Sequence, residues 1–359
     1  MSSALMVPCS IGEVLDKLTI LELKMEFIKD AKRRTDVELE YNSLKAIVAD
    51  RIGSVQFHYD KLLEVNRIMW VIQDELHSPT IFADPMREYN LMKEINHVNE
   101  RRFRIKRTLN VNTGSVLKEQ KGYAGKRVFI CGHQGLGDHF FINGAVRYMA
   151  SCYDEVCLVV KKQNLKNVQA LYANEPSVTF HEIDTDSDIS PAFGGREDVL
   201  MEAVKGFDRV YMLGYHGRGN VANFPYCFYK DMELKEEILK SWSHIYSNVT
   251  ETVGEPYLFV HVKASDARAP IQVDPERMLV ICPSENLYPE GHKWWAAAER
   301  WVGRPILEYC EIMKRADKCL LVDSSFFCMS LCLGLQPEVW VRGGRSYKNV
   351  CEELVEHNF

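Results

Sequence analysis

The sequence contains no C-x-x-C pair, no low-complexity tract and no apolar stretch approaching the roughly 18 residues of a membrane-spanning helix. Without paired cysteines, the eleven that are present, many inside apolar runs such as VFIC, EVCLVV and MLVIC, are expected to be reduced, buried thiols. Cys328 and Cys332 share a helical face at i and i+4, but that spacing does not supply the further ligands a metal site needs. The opening residues, MSSALMVPCS, lack a basic region followed by a long apolar core, so a cytoplasmic protein is expected. Positive charge is also lacking: the net charge of −6 argues against generic nucleic-acid binding. What is there is an ordinary globular composition over 359 residues, enough for two or three domains.

The charge is unevenly spread. Residues 101 to 127 hold nine Lys or Arg against one Glu, so this segment carries +8 and the rest of the chain −14. Such a run either meets an anionic partner or forms a solvated helix face balanced by acidic neighbours, the second being the simpler reading.

Organisation changes along the chain. Ser10 and Glu13 have the S-x-x-E form of a capping box, followed by Ile11, Val14, Leu15, Leu18, Leu21, Met25 and Ile28 at helical spacing. Further helical patterns run through 37–50, 57–76 and 86–109, where Leu91, Ile95, Val98, Ile105 and Leu109 line one side. An all-α domain over 1–123 is expected, its long amphipathic helices offering a surface for a homodimer. Beyond Gly122 to Gly125 come the short β-branched runs RVFICG, EVCLVVKK, VTFHEID and RVYMLGYH, then, after Gly254, YLFVHVKAS, RMLVICPSE, KCLLVDSS and EVWVRGG. Continuous apolar strands alternating with helices imply parallel sheets covered on both faces. The expected fold is therefore α/β, with Rossmann-like domains at 124–253 and 254–359 facing a cleft. Ligands in such sheets sit at the carboxyl ends of strands.

One of those ends carries GHQGLGDHFFINGAVRYM, residues 132–149. Gly132, Gly135 and Gly137 read G-x-x-G-x-G, the reverse of the dinucleotide fingerprint, which disfavours an oxidoreductase. GHQGLG matches the glycine spacing of a phosphate-binding P-loop, but Asp138 and His139 stand where Lys and Ser or Thr belong. A carboxylate at a helix N-terminus repels phosphate. The remaining reading is a tight strand-to-helix turn presenting Asp138, either as the N-cap of its helix or as a general base facing the cleft, with Gly135, Gly137, His139 and His216 on the same side. His139, His216 and His261 all lie at or beside strand ends, where a lone histidine is commonly structural.

The second such end is LLVDSSFFCMSLCLG, residues 320–334. Asp323, Ser324 and Ser325 sit between a strand and an apolar helix, where hydroxyls and open backbone N–H groups suit a diphosphate, or where the same residues simply cap the helix. Lys263, Ser265 and Arg268, in HVKASDAR after an earlier strand, add cationic and hydroxyl contacts. DTDSD, residues 184–188, contains the D-x-D arrangement that binds Mn²⁺ or Mg²⁺. Ile189 stands where an EF-hand requires Gly, and the stretch reads more simply as an acidic surface loop.

Gly135-Leu136-Gly137-Asp138, with Arg147 nine residues on, resembles the G-x-G-D-x8-R opening of heptosyltransferase-like GT-B glycosyltransferases. Asp323-Ser324-Ser325 is similar to their D-T/S-G/S loop, and together the motifs bracket 127–345. The resemblance implies two facing Rossmann domains, a UDP- or GDP-type nucleotide-sugar donor held by the second, an acceptor approaching the first, and metal-independent transfer with no cofactor. The family commonly has a histidine five residues after the second Asp, and here that position is Cys328. Its Trp-Pro element has only a loose counterpart in YPEGHKWW. Residues 5–123 separately resemble a bacterial helical domain of unknown function, through SIGEVLDKLTILELK, VNRIMWVIQDEL, VNERRFRIKRTLN and TGSVLKEQKGY.

The expected activity is thus inverting transfer of a sugar to an acceptor hydroxyl, with Asp138 as base and Ser324 and Ser325 stabilising the departing diphosphate. The acceptor is a glycan, a lipid-linked sugar, or a hydroxylated DNA base approached by the basic run at 101–127. The alternatives are a non-catalytic nucleotide-binding or assembly protein, and a metal-dependent glycosyltransferase using Asp184 and Asp186.

Overall fold

The structure is a computed structural model and describes residues 7–122, 124–132, 135–189, 194–214, 225–247, 249–264, 267–343 and 345–359. Its contacts divide the chain into two compact units: one takes residues up to Lys126 with Met149–Glu155 and Asn174–Ser177, the other Arg127–Tyr148, Val156–Ala173 and Val178–Phe359.

The first unit is built on four helices, α1 (Ile11–Phe27), α2 (Ala31–Ile52), α3 (Gln56–Leu76) and α4 (Pro85–Asn112). Ser10 caps α1 as expected, its Oγ accepting from the Glu13 N–H at 3.2 Å, but the Glu13 carboxylate pairs with Lys106 on α4 and leaves the capping box half made. Leu15, Leu18 and Leu21 of α1, Leu62 and Val65 of α3, and Leu91, Val98, Ile105 and Leu109 of α4 are buried. Helix α2 starts six residues before its apolar pattern does, because Asp30 caps it through the Arg33 N–H at 2.8 Å. Val48 is its only buried residue, so packing gives its first turns no signature in sequence.

The basic run is balanced by acidic partners as expected, but part of its face is buried and not solvated. Arg101, Arg104 and Lys106 of α4 are buried. Acidic partners come from α1, far along the chain, and from within the run: Arg102 grips Asp16 through Nε at 2.8 Å, Lys106 meets Glu13, and Lys106 also meets Glu119 at 2.9 Å. Asp16 also accepts from Asn66 Nδ2 at 2.9 Å, so the helices share one buried polar network.

The second unit holds two parallel sheets. In the first, β1 (Arg127–Gly132), β2 (Glu155–Lys161), β3 (Val178–Ile183) and β4 (Arg209–Leu213) lie in the order β3-β2-β1-β4. In the second, β5 (Tyr257–His261), β6 (Leu279–Ile281), β7 (Lys318–Val322), β8 (Glu338–Val341) and β9 (Val355–Asn358) lie in the order β6-β5-β7-β8-β9. The central strands β1, β2 and β7 are almost wholly buried, as their unbroken apolar runs require. Strand β9, short and polar as VEHN, was not expected and pairs with β8 from Glu338↔Val355 to Val341↔Asn358.

Helices α5 (Leu136–Phe141), α6 (Asn143–Cys152), α7 (Leu165–Leu171), α8 (Glu197–Ala203), α9 (Tyr226–Asp231) and α10 (Glu237–Trp242) accompany the first four strands. Helices α11 (Trp295–Glu299), α12 (Cys310–Arg315) and α13 (Ser325–Cys332) belong to the second series. No helix among the described residues is long and apolar enough to cross a membrane. All eleven cysteines are free thiols and seven are buried.

Candidate functional site

Both turns singled out in the sequence leave the carboxyl ends of central strands, one from β1 and one from β7. The structure brings them together. Helix α5 packs on α13, and a Cβ added to Gly137 would lie 2.9 Å from Cys328 Sγ and 3.5 Å from Ser325 Cα. Only glycine fits that approach. The neighbour that Gly137 admits is the chain's own α13, not an acceptor. Cys332 Sγ reaches the Phe140 carbonyl at 3.2 Å, and Tyr347 lies between Phe327, at 4.8 Å between ring centroids, and Phe141, at 6.5 Å.

Asp138 is not the N-cap. Gly135 takes that place, and Asp138, third in the helix, reaches back so that its Oδ2 accepts the Gly135 N–H at 2.7 Å. That bond sets the carboxylate's orientation, while a carboxylate's roughly four lone-pair sites leave capacity for another donor. The side chain is half-buried. Next to it, the His139 ring is fully buried, and neither ring nitrogen has a hydrogen-bond partner among the described residues. Burial, reinforced by Lys161, pushes the imidazole down to about 3. His139 therefore faces the core, a correction to its expected place beside the acceptor. Arg147, the last residue of the motif, is also buried and donates to the carbonyls of Leu171 at 2.9 Å and His244 at 3.1 Å. It ties α6 to its neighbours.

At the second turn Asp323 points inward. Its buried carboxylate takes Arg342 Nε at 2.6 Å and Arg345 Nη1 at 3.3 Å, and Arg342 Nη2 also donates to the Asp323 carbonyl at 3.0 Å. The expected contact between Asp323 and a donor is thereby replaced by an internal clamp. Ser324 is the N-cap of α13, yet its side chain makes no capping bond and pairs with His261 Nδ1 at 3.0 Å. The first N–H groups of α13 thus remain without a side-chain cap. Burial pushes the His261 imidazole down to about 4, and its ring lies 4.6 Å from that of Phe326. The thiol of Cys328 is pushed well up by burial, with the Asp138, Cys332 and Asp323 charges adding to it.

Lys263 and Arg268 face each other across an antiparallel bridge, closed by Ala264 N–H to Ala267 O at 2.8 Å. Ala264 and Ala269 pack on Val322, so this bridge stands at the end of β7. Lys263 is exposed, and Arg268 pairs with Glu285. Ser265 and His216 lie outside the described residues. Asp184 and Asp186 form ion pairs with Lys162 at 2.9 Å and Lys161 at 2.8 Å, while Asp188 accepts the N–H groups of Asp184 and Thr185. Among the described residues no three potential metal ligands converge.

Sequence reasoning missed Arg342 and Arg345. Their signal was present as VRGGR directly after the apolar strand EVWV, two cations beside glycines at a strand's carboxyl end.

Residues 5–129 match the model of a family of unknown function, DUF6165. No curated protein matches the chain. Among solved structures, the dodecameric iron-containing heptosyltransferase TibC, crystallised with ADP-D-beta-D-heptose, is similar at 14% identity and a TM-score of 0.40, over 66% of this chain and 63% of that one. TibC from enterotoxigenic E. coli H10407 is similar at 13% identity and 0.38, over 68% and 65%. A glycosyl transferase family 9 protein from Veillonella parvula DSM 2008 gives 10% identity and 0.35, over 65% and 85%. The chain thus spans less than two thirds of the length of both TibC chains. What the described residues define is a mixed α/β protein with two parallel sheets and a helical N-terminal region.

Proposed function

We propose that this protein is a glycosyltransferase that moves a sugar from a nucleotide-sugar donor to an acceptor hydroxyl with inversion. The observation that carries the reading is the meeting of the Asp138 turn with the start of α13, where a Cβ on Gly137 would collide with Cys328 Sγ at 2.9 Å and touch Ser325. A carboxylate and an anion-receptive helix start then belong to one locus, as in-line displacement at an anomeric carbon requires.

In this mechanism the acceptor hydroxyl gives its proton to Asp138 as its oxygen bonds to the anomeric carbon. The bond from that carbon to the donor's diphosphate oxygen breaks, and both electrons leave with the nucleoside diphosphate. The α13 N–H groups, the Ser324 and Ser325 hydroxyls, and the cations Lys263 and Arg268 stabilise the departing charge. Asp323 holds the turn rigid through Arg342 and Arg345. The donor is of UDP or GDP type, and these cations and N–H groups take the part a divalent metal plays elsewhere.

A screen of nucleotide sugars by thermal shift, followed by turnover with Asp138→Asn, tests the proposal. Donor stabilisation that survives the substitution while transfer is lost supports it. Unchanged transfer overturns the role of Asp138, and donor binding without turnover on any hydroxyl acceptor supports a non-catalytic nucleotide-binding protein instead.

A further inference from the structure

The helical unit contains a pocket of about 90 Å³ whose lining includes Arg104, Arg107, Thr108, Tyr153, Asp154 and Ser177. This is well above the roughly 10–15 Å³ that one water needs, and suits a small polyatomic ion. Arg104 is 6% exposed, and its Nε has no hydrogen-bond partner among the described residues. Ser177 Oγ, also buried, is equally without one. A buried guanidinium N–H without an acceptor keeps the full cost of its desolvation, so a site that holds one gains by receiving an oxygen there.

The charges around the pocket have the matching sign. Arg104 Nη2 contacts Asp154 at 2.8 Å and Glu100 at 3.3 Å, but Glu100 is also held by Lys121 at 2.7 Å. Arg107, half-exposed at the pocket's edge, lies 4.0 Å from the same Asp154. Two guanidinium groups therefore meet one carboxylate on the pocket wall. The field extends to neighbouring His97, whose imidazole is pushed down by burial and then by Arg101, Lys126 and Arg104.

We infer that this pocket binds a phosphate group, either as inorganic phosphate or as a phosphate monoester. The Arg104 Nε–H, the Arg107 guanidinium and the Ser177 hydroxyl are three donor groups, two guanidinium and one hydroxyl, around one small space, which suits the several oxygens of a tetrahedral anion better than a planar carboxylate. The site lies wholly within the helical unit and does not depend on the transfer reading.

The test is isothermal titration of the full chain with inorganic phosphate, glucose 1-phosphate and acetate at constant ionic strength. It is run on the unaltered protein, Arg107→Gln and Ser177→Ala, each checked first by ligand-free melting. The α13 turn is intact in all three, so any difference reports this pocket. Phosphate binding is expected to weaken at least about tenfold in both variants, the effect of losing one charge-assisted hydrogen bond. Tighter binding of the ester names a phosphorylated metabolite as the source, and tighter binding of inorganic phosphate names the free ion. Identical phosphate isotherms in all three proteins, no phosphate binding to the unaltered chain, or acetate binding as tight as phosphate would overturn the inference.

Discussion

A single methyl group at position 137 would collide with Cys328 Sγ at 2.9 Å, and this makes Gly137 a sensitive probe of the meeting between α5 and α13. Gly137→Ala is expected to lower stability by about 1–3 kcal/mol through overpacking. The cost should shrink when Cys328→Ala is also present, because the colliding sulfur is gone. Equal costs in the two backgrounds, read from denaturant unfolding, would mean that the two helices do not meet there. At Asp138 the expected outcome concerns rate: Asp138→Asn removes the proposed base and should lower turnover by about 10² to 10⁴, with donor affinity kept. The amide oxygen still accepts the Gly135 N–H, so melting should change little. A variant that melts far lower would show that the carboxylate's main work is holding the turn. Asp138 was legible from its place after a strand and three glycines, whereas its rank within the helix was not, since Gly135, Leu136 and Asp138 are all plausible first residues.

At the scale of the element, α13 gathers most of the polar and aromatic neighbours of the site, and two buried histidines flank it and α5. His261 sits beside Ser324 and His139 opens into the core, both held neutral, with imidazoles at about 4 and about 3. Their folded values lie below the ordinary 6.5. As pH falls through 6.5 the unfolded chain takes up these protons first, so stability is full above that value and declines until each folded value is reached. Each histidine contributes a slope on the order of 1.4 kcal/mol per pH unit in that window. Chemical denaturation at pH 7 and pH 5 should show the loss, and His261→Gln should reduce it. A flat profile would show that these rings are solvated. The helices and strands themselves were legible because their signals are local: Ser10 before an apolar period, or VFIC and CLLV as unbroken buried runs. Strand β9 was not, for VEHN carries no apolar period, and its pairing with β8 decides its conformation.

At the scale of the whole molecule, a nucleotide sugar at about 100 times its dissociation constant should add about 2.7 kcal/mol of stability. No stabilisation by any nucleotide sugar would remove the transferase reading. The burial and internal pairing of Arg101, Arg102, Arg104 and Lys106 also bear on a DNA acceptor. Few of these charges are open to phosphates, so transfer is expected to change little with salt. A steep loss of activity between low and moderate salt would instead favour a DNA substrate. The sequence alone determined where helices give way to strands and which two turns follow apolar strands, because backbone periodicity and capping act over a few residues. It also placed Asp138 and Asp323 at strand ends. Only the tertiary structure decided that Gly137 meets Cys328, that Asp323 turns onto Arg342 and Arg345, and that His139 lies in the core. It alone decided that the basic run is matched by Asp16 and Glu13, which lie 86 and 93 residues away from their partners. The physical reason is that a charge's burial and choice of partner follow from how distant elements pack, which no local spacing records.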